Sequence, residues 1–244
     1  MVLLYVDVLG TRARWHAAGR PGAEEVFRRL RGLTIASLQR AGASNFDLVG
    51  IESDSAVARS DSLDAVLSMA REMFTTAFLD VGREPDNRMW LRGAILPTGG
   101  RESLRTERAE PAPLDHVKIF QYSNELLDAI QVERSGVKGM RLLVPRALAG
   151  SVDRTRQQVR ISDCFVYRFR SLDYSGYPPR LRTDYEDYLW MFGDNVTWNR
   201  AKRAMSDRLR YAAGEPEEFL HAASTQVVFN ECEAILRAES RRRA

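Results

Sequence analysis

An apolar run near the amino terminus, Leu3–Thr11 (LLYVDVLGT), constrains the fold most strongly because it carries a carboxylate, Asp7. A strand this apolar is normally buried on both faces of a sheet, so a charged group in it needs a partner such as a metal ion. The segment Phe46–Arg59 (FDLVGIESDSAVAR) is its predicted neighbour. Residue types in that segment predict two short strands, Phe46–Ile51 and Ser55–Ala58, joined by a tight turn.

That turn, Glu52-Ser53-Asp54, holds a second carboxylate at its tip. If the hairpin flanks the first strand in one sheet, Asp7 and Asp54 converge on the same ions. Ions held in this way are what two-metal phosphoryl-transfer chemistry requires. We therefore predict that Asp7 and Asp54 bind two divalent metal ions, Mn²⁺ or Mg²⁺. Taken alone, two carboxylates so far apart in sequence would instead be assigned to unrelated turn and surface positions, so this prediction depends on further motifs in the chain.

The composition is that of a globular chain, and it excludes several classes of function. With 244 residues and 44% hydrophobic side chains, the chain can form one large domain or a domain with an extension. No apolar run is long enough to span a bilayer and no signal-peptide pattern is present, so we expect a cytoplasmic protein without membrane contact. The net charge of +3 is small and dispersed, which argues against a nucleic-acid groove. Cys164 and Cys232 lack metal-site spacing and are expected to be reduced.

The order of the predicted elements is β-α-β-β-α-β-α-β, which is typical of a ferredoxin-like α+β sheet with helices on one face. After the first strand, and around the hairpin, the patterns predict helices at Gly22–Ala41, from Ser62 onward and at Tyr122–Arg134, and strands at Met89–Leu96 and Met140–Val144. The polar stretch Thr98–Pro113 is predicted to be an active-site flap or a loop over a dimer partner.

The composition changes at Gly150, which divides the chain into residues 1–150 and a carboxy-terminal extension, residues 151–244. The extension is predicted to pack on the first domain or at a dimer interface. Its patterns predict strands at Gln158–Ile161 and Phe165–Phe169 and helices at Asp184–Phe192, Thr197–Ala212 and Glu215–Arg237. We predict no chemistry for this extension.

Four motifs in a fixed order carry a resemblance to a known family. They are D-V-L-G-T at residues 7–11, S-D-S-A-V-A at residues 53–58, L-R-G-A-I at residues 91–95 and the helix Tyr122–Glu133. Together they resemble the catalytic domain of class III nucleotidyl cyclases, whose paired signature is D-I-x-G-F-[ST] and G-D-x-x-x-A. The resemblance covers roughly residues 1–145. It implies a nucleoside triphosphate substrate and a homodimer in which that helix faces the partner.

Three further groups are candidates for the same site. Backbone N–H groups of Gly10 and Thr11 can cradle phosphate because glycine permits close approach, although an ordinary strand-to-helix turn is the alternative. The carbonyl of Val8 could complete the shell of one ion. Arg92, the lone charge in its strand, is either a triphosphate contact or a structural partner for a carboxylate.

The positions that read the base in purine cyclases differ in this chain. The family's Lys or Glu four residues before the hairpin aspartate falls at Gly50, and its polar residue before the dimer helix falls at Phe120. Neither side chain can hydrogen-bond to the edge of a purine. Main-chain groups near Gly50 and the side chains of Gln121, Asn124 and Gln131 are then the candidate readers, in a pocket that favours a single pyrimidine ring.

The helix Asn and Arg that steady the transition state in the best-known members fall at Leu127 and Gln131. With both metal aspartates present, the chain also resembles, more weakly, the bacterial pyrimidine cyclases of Pycsar antiphage systems, whose product activates a separate effector. We predict a pyrimidine cyclase that makes cyclic UMP or cyclic CMP. The alternatives are an adenylyl or guanylyl cyclase, a diguanylate cyclase, which the absence of G-G-D-E-F at the hairpin disfavours, and a catalytically inactive cyclase-like module that binds a nucleotide or a partner.

Overall fold

The computed structural model describes residues 1–80, 89–99, 106–108, 117–119, 124–134, 138–152, 158–161, 164–167, 169–171, 179–191 and 195–243. Its strands, in chain order, are β1 (Val2–Leu9), β2 (Phe46–Glu52), β3 (Ser55–Ser60), β4 (Trp90–Pro97), β5 (Thr106–Arg108), β6 (Val117–Ile119), β7 (Leu142–Pro145), β8 (Gln158–Ile161), β9 (Cys164–Tyr167), β10 (Phe169–Ser171) and β11 (Tyr185–Tyr188). Its helices are α1 (Thr11–Ala41), α2 (Leu63–Leu79), α3 (Asn124–Glu133), α4 (Arg146–Ser151), α5 (Pro179–Asp184), α6 (Asn195–Ala212) and α7 (Pro216–Arg243). None of the helices in this described part is both long and apolar enough to cross a bilayer.

A seven-stranded sheet in the order β10-β11-β7-β4-β1-β3-β2 forms the centre of the molecule. Neighbouring strands are antiparallel except β4 and β7, which pair in parallel. The pairs β5–β6 and β8–β9 form separate two-stranded sheets. The central position of β1, between β3 and β4, agrees with the apolar sequence of that strand.

Both faces of β1 are buried, and helices cover both faces of the sheet. The even-numbered side chains of β1 belong to the core that includes α1, α2, α6 and α7, whereas Leu3 and Tyr5 pack with Leu126, Ala129 and Val132 of α3. The prediction of helices on one face is therefore wrong. The reason is that β1 is apolar at odd as well as even positions, so each face needs a helical cover.

The helices that follow β1 and β3 differ in how closely their starts were predicted. Ser62 caps α2 as predicted, since its Oγ accepts a hydrogen bond from Ala65 N–H at 3.2 Å. The helix predicted from Gly22 begins earlier, at Thr11, and has a kink at Gly19, where φ is 62° and ψ is −155°. The kink precedes Pro21, whose ring cannot occupy an undistorted helix interior.

Two strands from beyond residue 150 complete the sheet, and one of them corrects a prediction. Where a helix was predicted over Asp184–Phe192, α5 ends at Asp184 and β11 begins at the next residue, pairing with β7. Asp187 on β11 is buried and forms an ion pair with Arg141 at 3.1 Å. The predicted strand Phe165–Phe169 is likewise divided between β9 and β10, which lie in different sheets. The division at residue 150 stays a prediction as a domain boundary, but the sheet itself crosses it.

Arg208 on α6 joins the carboxy-terminal helices to the sheet. It is completely buried, and its guanidinium donates to the carbonyls of Ala77 at 2.7 Å, Phe78 at 3.2 Å and Met89 at 3.3 Å. Its Cζ also lies 4.5 Å from the ring centroid of Trp90. Two of these bonds satisfy the carbonyls of Ala77 and Phe78 at the end of α2, which have no partner within the helix. The third joins α6 to Met89, the residue before β4.

Candidate active site

Asp7 lies near the end of β1, in an otherwise buried strand. It is the only residue of β1 that is not fully buried. In the register of the sheet it lies between Ser55 on β3 and Arg92 on β4. Directly opposed residues on antiparallel strands present their side chains to the same face, about 5 Å apart. A hydroxyl group and a guanidinium group are therefore the cross-strand neighbours of the Asp7 carboxylate.

Asp54 is brought to the same end of the sheet by the turn between β2 and β3. The main-chain N–H of Val8 donates to the main-chain oxygen of Asp54 at 2.9 Å, which fastens the turn to β1. Ser53 in this turn has a φ of 55°, a left-handed conformation that costs a non-glycine residue free energy and is common at functional sites. The structure thus brings the main chain of Asp54 next to Val8, the residue after Asp7, and the role of the two aspartates as metal ligands stays a prediction.

The loop that leaves this end of the sheet has a conformation set by Gly10. Its φ is 80°, in the region that favours glycine, and no atom lies within 4 Å of the position a Cβ would take. The next residue, Thr11, begins α1, and its Oγ1 donates to the Val8 carbonyl at 2.9 Å. Because a carbonyl oxygen has two lone pairs, Val8 can still offer one to a further ligand.

The positions predicted to read the base are only partly described. Gly50 is buried on β2, opposite Val57 of β3. The strand β6, which ends one residue before Phe120, packs beside β2. Phe120 and Gln121 lie outside the described residues, and Asn124 is the first residue of α3, whose side chain is not described.

The outer face of α3 carries the positions at which the best-known cyclases have an Asn and an Arg. Leu127 is 43% exposed, and Gln131, one turn later, is also exposed. The opposite face of the helix packs on the sheet through Leu126, Ala129 and Val132.

The oxygen donors at this end of the sheet fit hard divalent cations. The carboxylates of Asp7 and Asp54 and the second lone pair of the Val8 carbonyl are ligands that Mg²⁺ and Mn²⁺ prefer. Across the described ranges, no three His, Cys, Asp or Glu side chains are grouped so that they could hold a metal ion. One or two carboxylates are nevertheless sufficient when substrate phosphates and water complete the shell, as is usual for Mg²⁺.

Two groups that were not identified from the sequence are His221 and Lys138. The imidazole of His221, on α7, accepts a hydrogen bond at Nδ1 from the N–H of Gly139 at 3.1 Å. Lys138 precedes that glycine and is exposed. Burial, and then the positive charges of Lys138 and Arg92, lower the pKa of His221 from 6.5 to about 4. No local pattern could identify these groups, because His221 is 82 residues from the glycine it binds.

The lowered pKa of His221 predicts a pH dependence of stability. Between pH 6.5 and 4 the unfolded chain binds a proton at this imidazole that the folded chain excludes, so the free energy of unfolding falls as pH falls through this window. We expect the unfolding temperature of the wild type to drop more steeply across the window than that of His221→Gln, measured by scanning calorimetry. His16→Gln, at an exposed position on α1, should retain the wild-type slope. Equal slopes in the wild type and His221→Gln would contradict the assignment.

No protein-family model and no curated protein matches the sequence. Solved structures match in fold. The guanylyl cyclase domain of the RhoGC fusion protein from the aquatic fungus Blastocladiella emersonii superposes with a TM-score of 0.50 at 11% identity, covering 77% of this chain and 93% of that one. A bacterial light-regulated adenylyl cyclase gives a TM-score of 0.50 at 8% identity over 84% of this chain, which spans 56% of that longer chain. The protein therefore has the mixed α+β fold of class III nucleotidyl cyclase domains.

Proposed function

We propose that the protein is a pyrimidine nucleotide cyclase, which converts UTP or CTP to the 3',5'-cyclic nucleotide and pyrophosphate. One observation carries this proposal. The hydrogen bond from Val8 N–H to the Asp54 carbonyl, 2.9 Å long, holds the hairpin turn against the strand that carries Asp7. Two-metal phosphoryl transfer requires carboxylates that can bind the same ions, and in this cyclase fold Asp7 and Asp54 lie at the same end of the sheet.

In the proposed reaction the ribose 3' hydroxyl loses its proton to solvent water and its oxygen attacks the α-phosphorus in line. The bond from that phosphorus to the pyrophosphate oxygen breaks, and pyrophosphate leaves. Asp7, Asp54 and the Val8 carbonyl would hold two divalent ions, which when bound lower the pKa of the 3' hydroxyl and neutralise charge on the phosphates. The loop at Gly10 and Thr11 offers main-chain N–H donors to phosphate oxygens at the start of α1. Arg92 supplies positive charge on the strand next to Asp7.

The choice of a pyrimidine rests on the residues that replace the purine readers. Gly50 has no side chain to bond a base edge, and β6, which leads to Phe120, packs beside the strand that carries Gly50. An aromatic ring at Phe120 would stack on a base or form a wall of the pocket without distinguishing an amide from an amine. Size would then select the smaller ring, with Gln121, Asn124 and Gln131 as the groups that read its edge.

The protein is proposed to act as a homodimer. The family resemblance supports this, because the helix that corresponds to α3 faces the partner in those enzymes. Leu127 and Gln131 are exposed on α3 and would be available to such a partner. The weak resemblance to Pycsar enzymes supports a role in antiphage signalling, in which the cyclic product activates a separate effector. We propose the cytoplasm as its location.

Two alternatives have observations in their favour. A purine cyclase is equally compatible with the fold, and the two solved structures above are named as guanylyl and adenylyl cyclases. An inactive cyclase-like module that binds a nucleotide or partner is favoured by Leu127 and Gln131, which replace the family's transition-state residues. Retention of both aspartates favours an active enzyme.

Product analysis separates these functions. We expect purified protein, incubated with Mn²⁺ and each of the four nucleoside triphosphates in turn, to form cyclic UMP or cyclic CMP faster than cyclic AMP or cyclic GMP, as resolved by mass spectrometry. A parallel incubation with excess chelator should give no product. A clear excess of cyclic AMP or cyclic GMP would refute the base assignment and leave the metal site standing. Absence of product from all four substrates would identify an inactive module.

A further inference from the structure

The carboxy-terminal helix α7 reaches the end of the sheet at which Asp7 lies. The ring centroids of His221 and Trp90 are 6.3 Å apart. Trp90 is opposite Leu9, the last residue of the strand that carries Asp7. A helix for which the sequence predicted no chemistry therefore packs against the residue opposite the end of the strand that carries Asp7.

One face of α7 holds the segment that leads into β7. The N–H of Gly139 donates to His221 Nδ1 at 3.1 Å, and the N–H of Met140 donates to Thr225 Oγ1 at 3.0 Å. The contact is close enough that a Cβ at position 139 would lie 2.8 Å from Thr225 Oγ1, and φ there is 86°. A residue with a side chain would clash here, so glycine allows the segment to pack this closely on α7.

Arg141 links the same segment to the strand beside Asp7. Its guanidinium donates to the carbonyl of Ser224 on α7 at 2.7 Å, and its own carbonyl accepts the N–H of Gly93 at 2.9 Å. Gly93 follows Arg92, which lies opposite Asp7 in the sheet. A continuous series of hydrogen bonds thus connects α7 to the residue that neighbours the candidate metal ligand.

Each of the two segments joined to α7 carries one cation. Lys138 is exposed and immediately precedes the glycine bound by His221, and Arg92 is half-buried on β4. Both are near enough to act electrostatically on the imidazole. No described carboxylate forms an ion pair with Lys138. Arg92 lies opposite Asp7 in the sheet, and Lys138 belongs to the segment whose Arg141 carbonyl accepts the N–H of Gly93, the residue after Arg92. Two cations at the end of the sheet that carries Asp7 provide positive charge for the oxygens of a polyphosphate.

We propose that His221 is a positioning residue, which through Gly139 holds Lys138 beside Arg92 so that the two cations receive the polyphosphate end of a nucleoside triphosphate. This proposal rests on the proposed function, because it names residues with which the same site would bind its substrate. It adds the carboxy-terminal helix to that site, although the helix itself does not touch the reacting atoms.

Binding of inorganic tripolyphosphate with equimolar Mg²⁺, measured by titration calorimetry, tests the inference without requiring catalysis. We expect Lys138→Ala to raise the dissociation constant about tenfold, the loss of one charge-assisted hydrogen bond. His221→Ala should weaken binding similarly. His221→Gln should restore most of it, because the amide oxygen can again accept the Gly139 N–H. The matched control is Lys202→Ala, which removes the same charge from α6, where Lys202 pairs with Glu233 at 3.0 Å.

The outcomes are distinct. Equal weakening by Lys138→Ala and Lys202→Ala would show a general charge effect and overturn the subsite. Wild-type binding by folded His221→Ala, or failure of His221→Gln to recover binding, would overturn the positioning role. Because Lys138 is exposed, its variant tests the subsite even if His221→Ala fails to fold.

The titrations and the product analysis together separate this inference from the proposed function. If no nucleotide is cyclised but tripolyphosphate binding depends on Lys138, the cyclase proposal fails and the subsite stands. If cyclic nucleotide is formed but binding is insensitive to Lys138 and His221, the cyclase stands and the subsite fails. In an active enzyme, Lys138→Ala should raise KM for the nucleotide about tenfold while kcat changes little, since the residue contacts ground state and transition state alike.

Discussion

Asp54→Asn is expected to lower kcat for nucleotide cyclisation at least roughly 100-fold, because loss of a group that only orients a metal ligand already costs about 10- to 100-fold. The asparagine keeps the volume of the side chain and removes its charge. The fold should persist, since the turn is fastened to β1 by the main-chain oxygen of Asp54 and not by its carboxylate. The measurement is a rate of product formation at saturating Mn²⁺, with circular dichroism to verify folding.

Asp61→Asn is the matched control for this prediction. Asp61 follows β3 and is exposed, so the substitution removes the same charge close to the same hairpin but away from Asp7. Its kcat should equal that of the wild type. If folded Asp54→Asn turns over at a rate close to that of Asp61→Asn, Asp54 is not a metal ligand and the candidate site loses its main support.

Arg208→Met is expected to destabilise the folded protein strongly. Methionine fills much of the buried volume but leaves the carbonyls of Ala77, Phe78 and Met89 without their donor. Unsatisfied buried groups cost about 1–3 kcal/mol each, and the contact with Trp90 is also lost, so we expect a decrease of about 3–5 kcal/mol in the free energy of unfolding. Urea denaturation followed by tryptophan fluorescence measures it.

Arg210→Met on the same helix is the comparison variant. Arg210 is exposed and forms an ion pair with Asp207 on the surface, so its loss should change the free energy of unfolding by less than about 0.5 kcal/mol. A difference of less than about 1 kcal/mol between the two variants would mean that Arg208 does not hold α6 to α2 and the sheet.

The parts of the fold that were predicted from the sequence are those fixed by local patterns. The strand β1, the hairpin of β2 and β3 and the Ser62 cap of α2 each follow from residues within a few positions of one another. The placement of Asp7 and Asp54 at the same end of the sheet could be predicted for the same reason. Two short motifs defined β1 and the hairpin of β2 and β3, which carry these residues.

The errors arise where distant residues decide the structure. Nothing within residues 184–192 marks a strand, because β11 depends on pairing with β7 and its buried Asp187 depends on Arg141, 46 residues away. The contact of His221 with Gly139 is equally distant in sequence and gives no local signal. The start of α1 was missed because Gly19 and Pro21 resemble a helix boundary, whereas the helix continues across a kink.

The strand β11 is synthesised after β7, the strand with which it pairs, and this order has a consequence for folding on the ribosome. The central strands β1, β3 and β4 can pair once residue 97 has emerged, but β7 has no neighbour on its outer side until Tyr185–Tyr188 arrive. Until then its unpaired main-chain groups form an open edge to which other chains can add. In the folded protein the strand Tyr185–Tyr188 covers that edge, and we expect a variant that delays its docking to prolong the exposure of the edge and to aggregate more during synthesis.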